Sequence, residues 1–194
     1  MVALSNGSLL LNSDSCGLKN RLQSLSTDRG NTWGPVYPVN IVDDGEEGGL
    51  VSVVVTLAGR KPQEIVVVST GQGPGALRRR LVHFNFAHII SDLFFVLTPD
   101  FAQTGYRTDM HLFVSIDGGA SYRDVRHWGG GCGYSEMTVL NETLAPPLRN
   151  DTTQEGPTIG LFYEGGTGTV DYSGQMSFVR LDSAALLRAY LALD

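Results

Sequence analysis

The sequence predicts an all-β protein that ends in one α-helix. Short runs rich in β-branched and aromatic residues recur along the 194-residue chain, among them GGLVSVVVTL, EIVVVST and MHLFVSI. Gly, Asp, Asn or Pro bounds these runs, which is typical of strands joined by tight turns. The leucines of AALLRAYLAL recur instead at helical spacing, and Ser183 can cap that helix. We therefore expect antiparallel sheets over residues 1–70 and 106–181 and a helix over residues 182–194.

Residues 71–105 do not share this pattern. The stretch from GQGPGALRRR to LTPDFAQTG is long and mixed, without clean alternation, and we interpret it as an insertion in a β-rich domain that spans residues 1–181. Its longest apolar run is interrupted by His88 and Asp92, so it falls short of the roughly 18 to 20 apolar residues of a spanning helix. The sequence predicts no membrane span.

The composition and charge of the sequence indicate which partners, ligands and cellular locations to expect. A net charge of −6 gives no basic surface, so binding to nucleic acid is not expected. Cys16 and Cys132 lie in no metal-type CxxC motif; we interpret them as free thiols and expect neither a metal nor a cofactor. Glycosylation acceptors at Asn6, Asn141 and Asn150 favour a secretory, lysosomal or extracellular location. Because the start lacks a signal-peptide pattern, either the protein is cytosolic or its true start lies upstream.

Two eight-residue segments, STDRGNTW and SIDGGASY, repeat one pattern at positions 26–33 and 115–122. In each, Ser and Asp can bond backbone groups of a tight turn, and Gly can supply a positive φ. We expect both segments to be structural turns at one rim of the sheets, with their final aromatic side chains buried as anchors. The residues concerned are Ser26, Asp28, Gly30, Trp33, Ser115, Asp117, Gly119 and Tyr122.

The repeated pattern resembles the Asp-box, or BNR repeat, of several kinds of propeller protein. Four blocks, YRTDMHLFVSIDGGASYRD, GCGYSEMTVL, GPTIGLFYEGG and GQMSFVRL, resemble in order and spacing the C-terminal portion of exo-α-sialidases, also called neuraminidases. The beginning, LSNGSLLLNSDS followed by RLQSLSTDRGNTW, resembles the preceding block of that family. The resemblance implies a six-bladed β-propeller, of which 194 residues supply about three blades of roughly 45 residues.

The resemblance also implies a reaction, the removal of terminal sialic acid from glycans or glycolipids, and roles for three residues. Tyr134 in GYSEM stands at the nucleophile, where a neutral phenol avoids the repulsion between an anionic nucleophile and the sugar carboxylate. Arg107 stands at one arginine of the carboxylate-binding clamp, since the family places that arginine just before the strand that leads into the Asp-box. A guanidinium suits this role because it offers a carboxylate two parallel hydrogen bonds. Glu164 in LFYEGG matches a glutamate that orients a clamp arginine. The alternatives are a strand tyrosine, a strand-end arginine and a loop acid.

The departures from the family pattern keep three functions open. Asp14 lies where the family carries a second clamp arginine, and it would repel a bound carboxylate. The family's general acid, its glutamate base and its remaining arginine correspond to positions upstream of Met1. The chain is therefore interpreted as the C-terminal part of a sialidase that needs a missing N-terminal half, or as a degenerate, non-catalytic glycan-binding module. A structural or receptor propeller is the third alternative, and no turnover is expected from this chain alone.

Overall fold

Over the residues that it describes, the computed structural model consists of antiparallel sheets and one short helix. It describes residues 1–15, 20–42, 47–72, 109–129, 131–140, 155–166 and 175–193. The strands are β1 Val2–Ala3, β2 Leu9–Ser13, β3 Asn20–Ser26, β4 Tyr37–Val42, β5 Leu50–Val55, β6 Gln63–Gln72, β7 Asp109–Ser115, β8 Arg123–Gly129, β9 Gly131–Val139, β10 Thr158–Gly166 and β11 Gln175–Asp182, and the helix is α1 Ser183–Leu191.

The strands form three sheets in which neighbours in sequence are neighbours in space. The first sheet has the order β1-β2-β3-β4, the second β5-β6-β7-β8 and the third β9-β10-β11, and every pairing is antiparallel. The prediction of an all-β chain is confirmed. Strand β6 extends the first β-rich region to Gln72, and the predicted insertion beyond that residue lies outside the described residues.

The second sheet lies between the other two, which explains the continuous apolar run of β6. Val66 and Val68 belong to a core shared with Leu10 and Ile41 of the first sheet. Alternate residues on the opposite face of β6 belong to a second core, shared with the third sheet and the helix. Burial on both faces requires apolar residues at successive positions, whereas a strand with one wet face would alternate. The sheets are therefore stacked face to face.

The first strands of the three sheets come together. Strand β5 contacts both β1 and β9, and β9 also packs against β6. Meander sheets that stack face to face with their first strands adjacent are the blades of a β-propeller, in which those strands surround the central axis. The chain is thus a partial propeller of three blades, as the sequence predicts.

Helix α1 packs against strands of the second and third sheets, and its cap lies one residue before the predicted one. The N-cap is Asp182, whose Oδ1 accepts the backbone N–H groups of Ala184 and Ala185 at 2.9 and 3.2 Å. The prediction that Ser183 caps the helix is wrong, because Ser183 is its first residue and is buried. The apolar face packs on the core of the second and third sheets. Within the described ranges, no helix has the length and apolar character needed to cross a membrane.

Candidate functional site

Two turns join the third strand to the fourth in the first and second sheets; we call residues 26–33 and 115–122 the Ser–Asp turns. In the first, Ser26 Oγ donates to Asp28 Oδ1 and accepts the backbone N–H of Gly30, both at 2.8 Å. The Asp28 carboxylate then accepts the backbone N–H and the hydroxyl of Thr32 at 2.8 and 2.6 Å. One serine and one aspartate thereby accept hydrogen bonds from two backbone N–H groups and one hydroxyl of the turn.

The second Ser–Asp turn repeats these bonds. Ser115 Oγ donates to Asp117 Oδ1 at 2.6 Å and accepts the N–H of Gly119 at 2.9 Å, and Asp117 accepts both donors of Ser121 at 3.0 and 2.6 Å. The glycines adopt φ values of 90° in Gly30 and 93° in Gly119, a region that side chains disfavour. The repeated pattern in the sequence is therefore a repeated local structure.

The same bonds keep both aspartates ionised. Hydrogen bonds from the side chain and backbone of Thr32, and then from Ser26, lower the pKa of Asp28 from 3.8 to about 2. Partial burial raises the pKa of Asp117, but hydrogen bonds from Ser115 and Ser121 outweigh it, so that this pKa also lies below its usual value. A carboxylate with a lowered pKa is a poor proton donor near neutral pH. These aspartates are suited to holding turns rather than to acid catalysis.

Tyr122, the last residue of the second Ser–Asp turn, anchors the second sheet to the first. Its side chain is 3% exposed, and its hydroxyl accepts a hydrogen bond from Gln23 Nε2 at 2.6 Å. Its backbone N–H and carbonyl both bond the Asn40 side chain, at 2.9 and 2.6 Å. Burial raises the pKa of Tyr122 well above its usual range, so the phenol stays neutral. Tyr122 is thus buried, as the sequence predicts for the last residue of this turn.

Trp33, at the equivalent position of the first Ser–Asp turn, is 39% exposed, so the expectation that it is buried is wrong. The physical reason lies in the order of the sheets. Tyr122 belongs to the second sheet and packs on the sheet that precedes it in the chain. Trp33 belongs to the first sheet, and no preceding sheet exists among the described residues.

A bulge at the start of β9 positions Tyr134 and Glu164. Ser135 pairs with Tyr163 and Cys132 with Gly165, so two residues of β9 lie opposite Glu164 alone. Glu164 Oε2 accepts the backbone N–H of Tyr134 at 3.4 Å, a long hydrogen bond. The Tyr134 side chain is 48% exposed, and Glu164 is half-buried. The structure therefore brings these two predicted site residues together.

Gly133 makes room for the Glu164 carboxylate in this bulge. A Cβ atom at position 133 would lie 3.1 Å from the Cβ of Glu164 and closer still to its Oε2. A glycine inside a strand often marks a bulge or a close approach, and bulges often re-aim side chains beside active sites. The glycine directly before Tyr134 is the signal in the sequence that indicates this bulge.

Sequence reasoning missed several buried polar groups, two of which join the second sheet to the third next to Tyr134. The hydroxyls of Ser69 and Ser135 lie 2.9 Å apart, and the N–H of Gly49 contacts both, at 3.0 and 3.3 Å. Arg21 is 2% exposed, with its Nε donating to Asn12 Oδ1 at 2.6 Å. A Cβ atom on Gly48 would approach the Arg21 guanidinium to 3.2 Å. A possible signal was the period of two with which polar Arg21 and Gln23 enter the buried face of β3.

Arg107 and Asp14 both bear on the predicted carboxylate-binding clamp. Arg107 lies outside the described residues, so the structure gives no position for the predicted clamp arginine. Asp14 follows β2 and accepts a long hydrogen bond from the Ser13 hydroxyl at 3.4 Å. The described part of the site thus contains an exposed tyrosine side chain and a glutamate whose carboxylate binds the backbone N–H of that tyrosine. A tyrosine hydroxyl can serve as a nucleophile where a neighbouring base activates it.

The fold defines the chain as a partial β-propeller, and solved structures that resemble it include a sialidase and a trans-sialidase. The intramolecular trans-sialidase from Ruminococcus gnavus, solved with oseltamivir carboxylate, is similar with a TM-score of 0.56 and 15% sequence identity. The match covers 95% of this chain and 32% of that protein. A mutant of Trypanosoma rangeli sialidase displaying trans-sialidase activity is similar with a TM-score of 0.50 and 16% identity, over 96% of this chain and 23% of that protein.

These similarities establish a sialidase-like fold. The chain spans a third or less of the length of the two solved proteins it resembles. No protein-family model matches the sequence, and a search of curated proteins finds no match.

Proposed function

We propose that the chain supplies three blades of a sialidase-type glycoside hydrolase that removes terminal sialic acid from glycans or glycolipids. The observation that carries the proposal is the position of Tyr134. Its exposed side chain leaves a bulge at the start of β9, the first strand of its sheet, and Glu164 binds its backbone N–H. First strands surround the axis of a propeller, which is where a sugar can reach residues of several blades.

In this proposal Tyr134 is the nucleophile that attacks the anomeric carbon. That carbon also bears the sugar carboxylate, so a neutral phenol approaches it with less repulsion than a carboxylate nucleophile. Arg107 binds the sugar carboxylate through two parallel hydrogen bonds. Glu164 orients this arginine. Residues 1–181 form the propeller portion, with the Asp-boxes at the two Ser–Asp turns.

We also propose that a further sheet packs against the Trp33 face of the first sheet. The two Ser–Asp turns share their hydrogen bonds, and Tyr122 of the second is covered by the sheet that precedes it. By the same geometry, Trp33 is covered by a sheet that precedes the first. That additional part of the propeller would supply the general acid, the base for the phenol and a further arginine. Loss of the general acid by itself lowers the rate by about 10²- to 10⁴-fold.

The alternative function is a degenerate glycan-binding module, and Asp14 is the observation that favours it. This carboxylate stands where the resemblance implies a second clamp arginine, and two like charges near each other raise the cost of binding an anionic sugar. Such a module keeps the fold and the contact surface but has no turnover even when the ring is complete.

The test combines a turnover assay with a binding measurement on the same protein. The chain alone is expected to release no product above background from a fluorogenic sialoside. Titration with sialyllactose, followed by NMR, should shift the backbone signals around the bulge at residues 132–136 and 163–165. Tyr134→Ala should weaken this binding, while Tyr163→Phe, on the strand next to it, serves as the matched control and should leave it unchanged.

The outcomes separate the two functions. Turnover that appears when an N-terminal propeller half is added, and that disappears in Tyr134→Phe, supports the hydrolase. Binding with no turnover under that condition supports the glycan-binding module. Shifts that are absent, or that are equal in the wild type and Tyr134→Ala, contradict the proposed site.

A further inference from the structure

Two histidines and an aspartate form a cluster on the outer strands of the second sheet, and none of them lies on a strand of the third sheet, which carries Tyr134. His111 lies on β7, and Asp124 and His127 lie on β8. Their ligand-type atoms all lie within 4.8 Å of one another. We call these three residues the His–Asp cluster, and neither the proposed hydrolysis nor the Ser–Asp turns use it.

A second bulge brings the cluster to one face of the sheet. In a regular strand, residues 124 and 127 would point to opposite faces, because side chains alternate with a period of two. Phe113 pairs with Asp124 but Leu112 pairs with Arg126, so β8 carries one extra residue at this point. His127 then lies opposite His111, and both side chains of β8 share the face of His111.

The side chains are already ordered in contact with one another. His111 Nδ1 lies 2.6 Å from Asp124 Oδ2, and the rings of His111 and His127 stack with centroids 5.2 Å apart. The His111 ring also stacks on Phe113, which belongs to the core between the first and second sheets. His111 is therefore half-buried and held in place by packing, while Asp124 and His127 are exposed to solvent.

We propose that the His–Asp cluster binds a divalent transition-metal ion of the zinc class. Imidazole nitrogen and carboxylate oxygen are common zinc ligands, at about 2.0 to 2.2 Å from the ion. Tetrahedral geometry then separates the ligand atoms by about 3.3 Å, a distance that small side-chain rotations reach from the present arrangement. Two imidazoles and one carboxylate leave one position for water, and the ion would join β7 to β8 at the outer edge of the blade.

The experiment uses the full chain freed of metal with a chelator and then titrated with Zn²⁺ by calorimetry. We expect one ion per chain, bound with a dissociation constant of micromolar order or lower, and a rise in the thermal midpoint, since a ligand that binds only the folded state stabilises it. His111→Gln, Asp124→Asn and His127→Gln should each weaken binding at least tenfold. His127 is exposed, so its variant should fold normally without zinc.

The matched control replaces the two other histidines of the sequence, in the double variant His83→Gln/His88→Gln. It should bind Zn²⁺ as the wild type does. Equal affinity for Zn²⁺ in the wild type and in His127→Gln would overturn the proposal, and so would loss of binding in the control. A wild-type dissociation constant above about 1 mM would also overturn it, because it would indicate only weak association with the surface. Absorption of the Co²⁺-loaded protein gives an independent measure, because it should change when either ligand of β8 is replaced.

Discussion

The two Ser–Asp turns offer a matched pair of substitutions, Tyr122→Ala and Trp33→Ala. They occupy the same position of the same turn, yet Tyr122 is 3% exposed and Trp33 is 39% exposed. Trp33 is the larger side chain, so its truncation would ordinarily lower the free energy of unfolding more. We expect the larger loss for Tyr122→Ala instead, because the loss depends on how many buried contacts the side chain makes.

The magnitude for Tyr122→Ala has two parts. Truncation of a fully buried aromatic residue costs about 3 to 5 kcal/mol. The hydroxyl also accepts the amide of Gln23, whose Oε1 is buried and has no partner among the described residues. Leaving that amide unpaired adds about 1 to 3 kcal/mol, and Tyr122→Phe should show this part alone. Trp33→Ala should cost about 1 to 2 kcal/mol, because much of its surface already contacts water.

The assay is urea unfolding followed by circular dichroism, since Trp33→Ala removes one of the two tryptophans that would report fluorescence. Free energies of unfolding for the three variants are compared with the wild type under identical conditions. A Trp33→Ala loss equal to or larger than the Tyr122→Ala loss would refute the reasoning, because it would show that Trp33 is covered in this chain. A Tyr122→Phe loss near zero would contradict the part assigned to the hydroxyl.

Three further predictions concern single residues. Gly133→Ala should displace the Glu164 carboxylate but cost less than about 1 kcal/mol, because a flexible side chain can yield; hydrogen exchange at the Tyr134 amide should speed up, and an unchanged rate would contradict this. Asp28 has a lowered pKa in the folded state, so its carboxylate stabilises the fold above about pH 4 and loses that effect as the pH falls towards 2. The difference in thermal midpoint between the wild type and Asp28→Asn should therefore shrink as the pH is lowered over that range. Asp182→Ala should cost about 1 kcal/mol of unfolding free energy through loss of the helix cap, and no change would show that α1 is held by packing alone.

Local features of this protein were accessible from the sequence because their interactions lie within a few residues. The bonds of Ser26 and Asp28 close inside one eight-residue turn, so the residue types and their spacing are sufficient to predict it. The strand pattern and the spacing of leucines in α1 are equally local. The choice between Asp182 and Ser183 as the helix cap was not local, because it depends on the burial of Ser183 in the folded protein.

The tertiary structure alone decided which equivalent residues are buried and which distant residues meet. Trp33 and Tyr122 share one motif but differ in exposure, since burial depends on the neighbouring sheet and not on the turn. The approach of Glu164 to Tyr134 depends on a bulge, whose position follows from strand register. Register is set by packing across whole sheets, and one extra residue reverses the faces of every side chain that follows. The sequence therefore determined the local turns and strands, while long-range pairing determined the site.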